Sequence, residues 1–377
     1  MADIFDYLKW RADVPFSVSP FNDVDNLILA ELAYTDFGGI VPEEGCGLKD
    51  ACEAFFAVHT KEEILESKAF TAKAPLLMEE MIKGPRFADM RIRAYIDEKG
   101  PDLQLSAVTF DLSDGTSYVA FRGTDGTGVG WKEDFNFSFL DETEGQRKAV
   151  SYLNGIQGRL RVGGHSKGGN LAVYASAFCE DQDKILEVYS NDGPGFREKI
   201  IQTEGFQKVL PKVRSIVPDT SVIGLLLAGQ YAQTVVKSSA SGLMQHDGFT
   251  WQVTRHGFEE AELSEASRLV DKTVSGWLTQ MNDMERETLT ETVFSLIEST
   301  GQDRFSDMNA QKLKTAEAMW TAARSLPREK QQEVVRLFKL LGQSGSHAAA
   351  DYIAARIEAE KDPAGEGGAL YRNVSKN

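Results

Sequence analysis

The spacing of hydrophobic residues changes twice along the chain and divides it into three regions. Up to residue 85, apolar residues recur at helical intervals, for example between Val24 and Leu32, behind Asn22 or Asp23 as a cap. This pattern predicts a helical N-terminal segment over residues 1–85, packed on the rest of the protein.

From residue 86 the period becomes that of strands. Residues 90–96 and 103–112 alternate, Asp114-Gly115 supplies a hairpin turn, and Tyr118–Phe121 reads as the returning strand. Helical and apolar strand signals then alternate, with a helix over about 145–159, strands at 185–189 and 213–217, and a strand-like segment at 249–253. This alternation predicts an α/β core over residues 86–262, with a mostly parallel central sheet covered on both faces.

Beyond residue 262 only helical stripes remain. They include Leu269 to Trp277 and Leu289 to Ile297, followed by 319–323, 334–341 and 348–357. We predict a helical C-terminal appendage over 263–361, whose stripes form packing contacts or a face for a protein partner. The glycine-rich residues 362–377 are expected to be a disordered tail.

Composition excludes several classes of function. The chain has 377 residues and a formal charge of −16, which argues against binding nucleic acid or anionic lipid surfaces. It has no membrane-length apolar run and no secretion-signal pattern at its start, so we expect a cytoplasmic protein. Three cysteines without metal-ligand spacing are expected to be reduced thiols, and no metal or organic cofactor is implied.

The most specific chemical signal is Gly164-His165-Ser166-Lys167-Gly168, which has the G-x-S-x-G form of a nucleophile elbow. An apolar strand signal precedes it and a helical signal follows. Glycines on either side of the serine allow a sharp strand-to-helix turn that exposes the hydroxyl. An ordinary glycine-rich turn is the alternative, but the context favours Ser166 as a nucleophile.

A serine nucleophile needs a histidine base, and in proteins with this elbow the base comes last in the chain. Three histidines follow Ser166, namely His246, His256 and His347. His347 lies at a helix start within the appendage, and His256 lies in a turn. We therefore predict His246 as the base, with His256 as the alternative.

The base needs a carboxylate that orients it, and two aspartates follow strand signals. Asp219 comes directly after the strand at 213–217, at the sheet edge where parallel strands collect catalytic side chains. Asp192 follows the preceding strand, but its glycine- and proline-rich surroundings also fit a structural turn. We predict Asp219 as the acid and keep Asp192 as the alternative.

Developing negative charge on the substrate needs amide donors. The amide of Lys167 begins the helix after the serine, and Thr124 follows the turn at Gly123 after a strand. We predict these two residues as the oxyanion hole. The segments 131–140 and 222–227, the second of them apolar, are candidate covers of the site. Alternation of Phe135, Phe137 and Phe139 favours a buried edge strand over a lid, whereas 222–227 fits a core helix or a flap equally.

These motifs together resemble a known family. Phe121-Arg122-Gly123-Thr124, followed by Trp131, Asp134 and the serine elbow, is similar to the class 3 lipases of the α/β-hydrolase superfamily over residues 20–260. The glycine-proline loop, the acid loop and the histidine segment of these lipases correspond more loosely to residues 191–195, 217–219 and 246–251. A bacterial group of lipase-like proteins of unknown function shares the segments 6–10 and 26–29 and the helical C-terminus.

The resemblance implies an α/β-hydrolase fold and carries over Ser166 as nucleophile, Asp219 as acid, His246 as base, and Thr124 with Lys167 as oxyanion donors. Lys167 departs from the lipases, which typically have an apolar residue there, and it could pair internally or meet an anionic substrate group. We expect a serine hydrolase that cleaves a small-molecule or lipid-like carboxylic ester. The alternative is a catalytically silent hydrolase fold that binds a protein partner through its C-terminal helices.

Overall fold

A computed structural model describes residues 1–67, 71–100, 103–124, 136–227 and 229–298, with isolated helical positions between 328 and 346. One mixed eight-stranded sheet runs through these residues, and its spatial order follows the chain order. The strands are β1 (Cys46–Gly47), β2 (Arg91–Gly100), β3 (Leu103–Asp111), β4 (Ser117–Phe121), β5 (Leu160–His165), β6 (Ile185–Asn191), β7 (Val213–Pro218) and β8 (Gln233–Val236).

The sheet is antiparallel from β1 to β4 and parallel from β4 to β8. Because β4 to β7 follow one another in space as in sequence, the helices that connect them pack on one face of the sheet, and the N-terminal helices cover the other. The helices are α1 (Ile4–Arg11), α2 (Asp23–Leu32), α3 (Leu48–Val58), α4 (Lys61–Glu66), α5 (Leu76–Met81), α6 (Glu144–Gly155), α7 (Lys167–Phe178), α8 (Glu198–Ile201), α9 (Glu204–Val209), α10 (Glu265–Thr279) and α11 (Asp283–Glu298). This is the predicted α/β-hydrolase fold.

Two hydrophobic clusters cover the sheet. Apolar side chains of α1 to α5 form one with residues of β2, β3 and β4, including Leu27 and Phe110. Residues of α6 to α9 form the other, which includes Leu171 and Val162. The N-terminal helices therefore form the layer that covers one face of the sheet. Among them, α2 packs on β5, the strand that leads into the serine motif.

A buried ion pair fixes the N-terminal segment. Nε of Arg86 donates to Asp25 at 2.7 Å, a second guanidinium nitrogen contacts the other carboxylate oxygen, and both side chains are fully buried. The guanidinium also donates to the carbonyl oxygen of Val14 at 2.9 Å and lies 4.3 Å from the ring centroid of Phe16. Removing one partner of such a pair leaves a buried charge and costs about 3–5 kcal/mol.

The start of α2 resolves the alternative left by the sequence. Asn22 is the N-cap: its side chain accepts from the amides of Val24 and Asp25, and the Asp25 side chain accepts in turn from the Asn22 amide. This reciprocal capping box satisfies donors that the first helical turn leaves free. The same Asp25 carboxylate therefore caps the helix and pairs with Arg86.

Two strand predictions were wrong. Residues 249–253 form no strand: the backbone makes a 3-10 turn over Gly248–Thr250, and Trp251 and Val253 form isolated bridges. The eighth strand is instead Gln233–Val236, a run that includes Thr234 and Val235, β-branched residues that favour strands.

The edge strand predicted from Phe135, Phe137 and Phe139 is also wrong over residues 136–140, the part that the structure describes. The amides of Phe139 and Leu140 both donate to the carbonyl oxygen of Asn136, which makes a turn, and Phe137 and Phe139 are buried there.

Residues 125–135 lie outside the described part of the chain, as do the predicted helices at 319–323 and 348–357 and the tail. Of 334–341, residues 335, 336, 339 and 340 are helical.

Candidate active site

Ser166 lies in the tight turn between β5 and α7, with φ 58° and ψ −130°. A non-glycine residue adopts this backbone conformation only under strain, and functional sites concentrate such strain. The turn needs close backbone approach on both sides. A Cβ on Gly168 would lie 2.0 Å from the carbonyl oxygen of Phe121, and one on Gly164 would lie 2.4 Å from the same atom. The two glycines are therefore required by space, as the motif predicts.

The hydroxyl of Ser166 meets His246. The distance from Nε2 of His246 to Oγ of Ser166 is 2.9 Å, although 80 residues separate the two in sequence. His246 ends a 3-10 turn over Gly242–His246, and its side chain is 20% exposed. The predicted serine and the predicted histidine are thus brought within hydrogen-bond distance of each other, the geometry that a general base requires.

The carboxylate that contacts the imidazole belongs to Asp192. Oδ2 of Asp192 lies 2.6 Å from Nδ1 of His246, and the Asp192 side chain is 1% exposed. A carboxylate accepts hydrogen bonds, so Nδ1 carries the proton and Nε2 is left to accept from the serine hydroxyl. Asp192 adopts φ 48°, a left-handed conformation that aspartate tolerates better than most residues.

The predicted contact between Asp219 and His246 is not formed. The side chain of Asp219 accepts a hydrogen bond from Thr220 at 3.2 Å, and its backbone pairs with Val236 and Ser264. The reason lies in the sheet order: Asp192 follows β6, which adjoins the serine strand β5, whereas Asp219 follows β7, one strand further away. Neighbouring strands are about 4.8 Å apart, so the imidazole bridges from Ser166 to the nearer acid.

The two predicted oxyanion donors adjoin parts of the chain that lie near the serine. The amide of Lys167 belongs to the first residue of α7, and the N-terminus of a helix favours negative charge. A Cβ on Gly123 would lie 3.1 Å from Cβ of Ser166, so the residue before Thr124 lies close to the nucleophile. The roles of Thr124 and Lys167 stay predictions.

The side chain of Lys167 points away from solvent. It is fully buried, and Nζ donates to the carbonyl oxygen of Gln104 at 2.6 Å. Of the two roles that the sequence left open for this lysine, this contact favours internal pairing.

A buried polar network that includes Asn26 of α2 supports the strand that leads into the serine turn. Nδ2 of Asn26 donates to Oδ1 of Asn191 at 2.8 Å, and Nδ2 of Asn191 donates to the carbonyl oxygen of Gly164 at 3.1 Å. The hydroxyl of Tyr118 donates to Oδ1 of Asn26 at 2.6 Å. All three side chains are buried, and this network joins α2 to the ends of β5 and β6, where the nucleophile and the acid begin. Sequence patterns gave no signal for it.

Two acidic residues, Glu31 and Asp247, lie next to the segment that carries His246. Glu31 is fully buried, and neither carboxylate oxygen has a hydrogen-bond partner among the described residues. Burial, together with the nearby charge of Asp247, raises the pKa of Glu31 well above its usual value. Burial also raises the pKa of Asp247 to about 6, against the lowering effects of the Phe249 amide and of Lys73. The segment that carries His246 therefore borders a pair of carboxyl groups that favour protonation.

The remaining candidate residues do not join the site. His256 is exposed in a turn, where its amide donates to Oγ1 of Thr254 at 3.2 Å, and His347 lies outside the described residues. Within the described ranges no cluster of three or more histidine, cysteine or acidic side chains could hold a metal ion. No helix in those ranges is long and apolar enough to cross a membrane.

Comparison with known proteins identifies the family of the chain. The crystal structure of M37 lipase is similar, with 14% sequence identity and a TM-score of 0.30, over 65% of this chain and 83% of that chain. No curated protein matches the sequence. The bacterial origin and the relationship to class 3 lipases stay predictions. The Mbeg1-like family model matches residues 81–295, more than half of the 377 residues. The chain belongs to the Mbeg1-like family.

Proposed function

We propose that this protein is a serine hydrolase that cleaves a carboxylic ester through an acyl-enzyme intermediate. The observation that carries the proposal is the chain of contacts from Ser166 through His246 to Asp192, at 2.9 and 2.6 Å. A serine in a strained elbow, an imidazole and a buried carboxylate in this order form the arrangement that activates a hydroxyl. Asp192 takes the role that the sequence assigned to Asp219.

In the first half of the reaction, Oγ of Ser166 attacks the ester carbonyl carbon while Nε2 of His246 takes the hydroxyl proton. Asp192 stabilises the imidazolium and holds the ring by its Nδ1–H. Negative charge on the former carbonyl oxygen is stabilised by the amides of Lys167 and Thr124. Collapse of the tetrahedral intermediate breaks the ester bond, and His246 gives its proton to the leaving alcohol.

In the second half, water replaces the alcohol. His246 takes a proton from the water, whose oxygen attacks the acyl carbon on Ser166, and the resulting intermediate releases the carboxylic acid. The serine recovers its proton from His246.

The surroundings of Asp192 support an ester with an apolar part. Ser221 and Gly224 both donate to Asp192. Ser221 precedes the apolar segment 222–227, and Gly224 lies within it, in the turn over Ile223–Leu225. Its side chains are partly exposed beside the acid, namely Val222, Ile223, Leu225, Leu226 and Leu227. The inward contact of Lys167 favours a neutral substrate over an anionic one.

A fluorophosphonate probe tests the nucleophile directly, because it phosphonylates activated serines. We expect one phosphonyl group per wild-type chain by intact mass and none on Ser166→Ala. Hydrolysis of short p-nitrophenyl esters should be abolished in the same variant, with stability within about 1 kcal/mol of wild type. Ser176→Ala is a matched control, since Ser176 is buried on α7, the helix that follows Ser166, and its hydroxyl has no partner among the described residues.

A folded wild-type protein that is not labelled would contradict the proposal and favour the non-catalytic interaction protein. Labelling that persists in Ser166→Ala would move the nucleophile elsewhere. Equal loss of labelling in Ser166→Ala and Ser176→Ala, with equal loss of folded protein, would indicate an effect on folding.

A further inference from the structure

The residue before the nucleophile contacts the backbone of the base. Nε2 of His165 lies 2.7 Å from the carbonyl oxygen of His246. The two imidazole rings are tilted by 37°, with centroids 4.6 Å apart. The side chain of His165 is 5% exposed. The proposed mechanism uses no atom of this ring, so its burial against His246 calls for another explanation.

The contacts of His165 fix which nitrogen carries its proton. A carbonyl oxygen only accepts hydrogen bonds, so Nε2 must be the protonated nitrogen and the donor to His246. Nδ1 is then an acceptor, and the hydroxyl of Tyr34 lies 3.1 Å from it. Burial, and next the neighbouring His246, lower the pKa of His165 to about 3. The ring therefore stays neutral in the tautomer that donates from Nε2.

The segment that carries the base needs such a contact. His246 is at the end of a 3-10 turn and belongs to no strand. The preceding carbonyl, that of Gln245, accepts from Nε1 of the fully buried Trp251 at 2.8 Å. Two successive carbonyl oxygens of this turn are thus each held by a buried ring N–H.

We propose that His165 is a positioning residue, whose Nε2–H holds the main chain of His246 so that the imidazole reaches both Ser166 and Asp192. This inference rests on the proposed function, because it assigns His165 a part in the same reaction without contact to the reacting atoms. Tyr34, from the turn after α2, supports the tautomer through Nδ1.

Substitutions at His165 test the inference because they keep, move or remove the N–H group that donates to the carbonyl oxygen of His246. Counted from Cβ, the amide nitrogen of Gln lies where Nε2 of histidine lies, and that of Asn lies where Nδ1 lies. We expect His165→Leu and His165→Asn to lower kcat on p-nitrophenyl esters by about 10- to 100-fold, the scale of a misplaced catalytic group. KM should stay near the wild-type value, and His165→Gln should recover most of kcat. His256→Leu, at the exposed turn, should leave both constants unchanged.

Several results would overturn the inference. Unchanged kcat in His165→Leu, or equal kcat in the Gln and Asn variants, would remove the positioning role. If these variants do not fold, ring 15N NMR of the wild type decides: a proton on Nδ1 of His165 overturns the inference, and one on Nε2 supports it. Fluorophosphonate labelling of the wild type separates the two proposals, since absence of labelling contradicts the hydrolase itself.

Discussion

Asp192 is held to Gly224 by a hydrogen bond that faces away from the base. The Gly224 amide donates to Oδ1 of Asp192 at 3.0 Å, and the Ser221 hydroxyl donates to the same oxygen at 2.5 Å. The other oxygen, Oδ2, is left for Nδ1 of His246. Each carboxylate oxygen thus has a separate task, and the turn after β7 fixes the orientation of an acid that follows β6.

The first prediction separates the two candidate acids. Asp192→Asn should lower kcat by about 10³- to 10⁴-fold, because an amide at this place no longer enforces the tautomer with Nδ1 protonated. Asp219→Asn should keep kcat within about twofold, since its carboxylate does not contact His246. Steady-state ester hydrolysis measures both. If Asp219→Asn were the more damaged variant, the arrangement at His246 would be a resting state and the acid would be Asp219.

The second prediction concerns the turn that holds Asp192. In Gly224→Ala the new Cβ would lie 2.4 Å from Oδ1 of Asp192 and 2.7 Å from a methyl carbon of Val217. The carboxylate must shift, so kcat should fall by about 10-fold or more. Gly155→Ala is the control, because a Cβ there meets nothing within 4 Å. Equal kcat for the two variants would contradict the proposed role of Asp192.

Local and distant parts of the site differ in how far the sequence predicts them. Ser166 and its glycines are specified by five consecutive residues, and His246 follows from the chain order of this fold. The choice between Asp192 and Asp219 depends on which strand lies beside β5, and both aspartates follow apolar strands. Only the observed order of β5, β6 and β7 decides it.

Side chains that support the site from other elements left no signal in the sequence. Tyr34 and His165 are 131 residues apart, and Asn26 and Asn191 are 165 residues apart. Helical periodicity identifies the buried face of α2, but it does not indicate that a polar residue on that face reaches the serine strand. Contacts of this kind depend on tertiary packing.

The third prediction concerns Lys167. Lys167→Met removes a buried donor to the carbonyl oxygen of Gln104 and should lower the free energy of unfolding by about 1–3 kcal/mol. The amide stays, so the oxyanion hole is kept. The ratio of kcat/KM for acidic and neutral esters should therefore not change. Lys49→Met, at a 72% exposed lysine, is the stability control. Selective loss on acidic esters would instead place Lys167 against an anionic substrate group.

The fourth prediction is a pH dependence of stability from the carboxyl groups behind His246. The folded-state pKa of Asp247 is raised to about 6, and that of Glu31 is raised well above its usual value. The folded protein therefore binds these protons more tightly than the unfolded chain. Their stabilising contribution is complete below the unfolded pKa values and is lost as pH rises through the folded ones.

Glu31→Gln tests this sign, because the amide has the shape of the protonated acid and cannot ionise. His165, with Nδ1 3.7 Å from Glu31, and Asp247 are the titratable groups that face this side chain. Denaturant unfolding from about pH 4 to about pH 8 should show the variant gaining stability relative to wild type as pH rises. Glu62→Gln, at an exposed glutamate, should follow the wild-type curve. A Glu31→Gln curve parallel to wild type would mean that Glu31 does not change its protonation on unfolding.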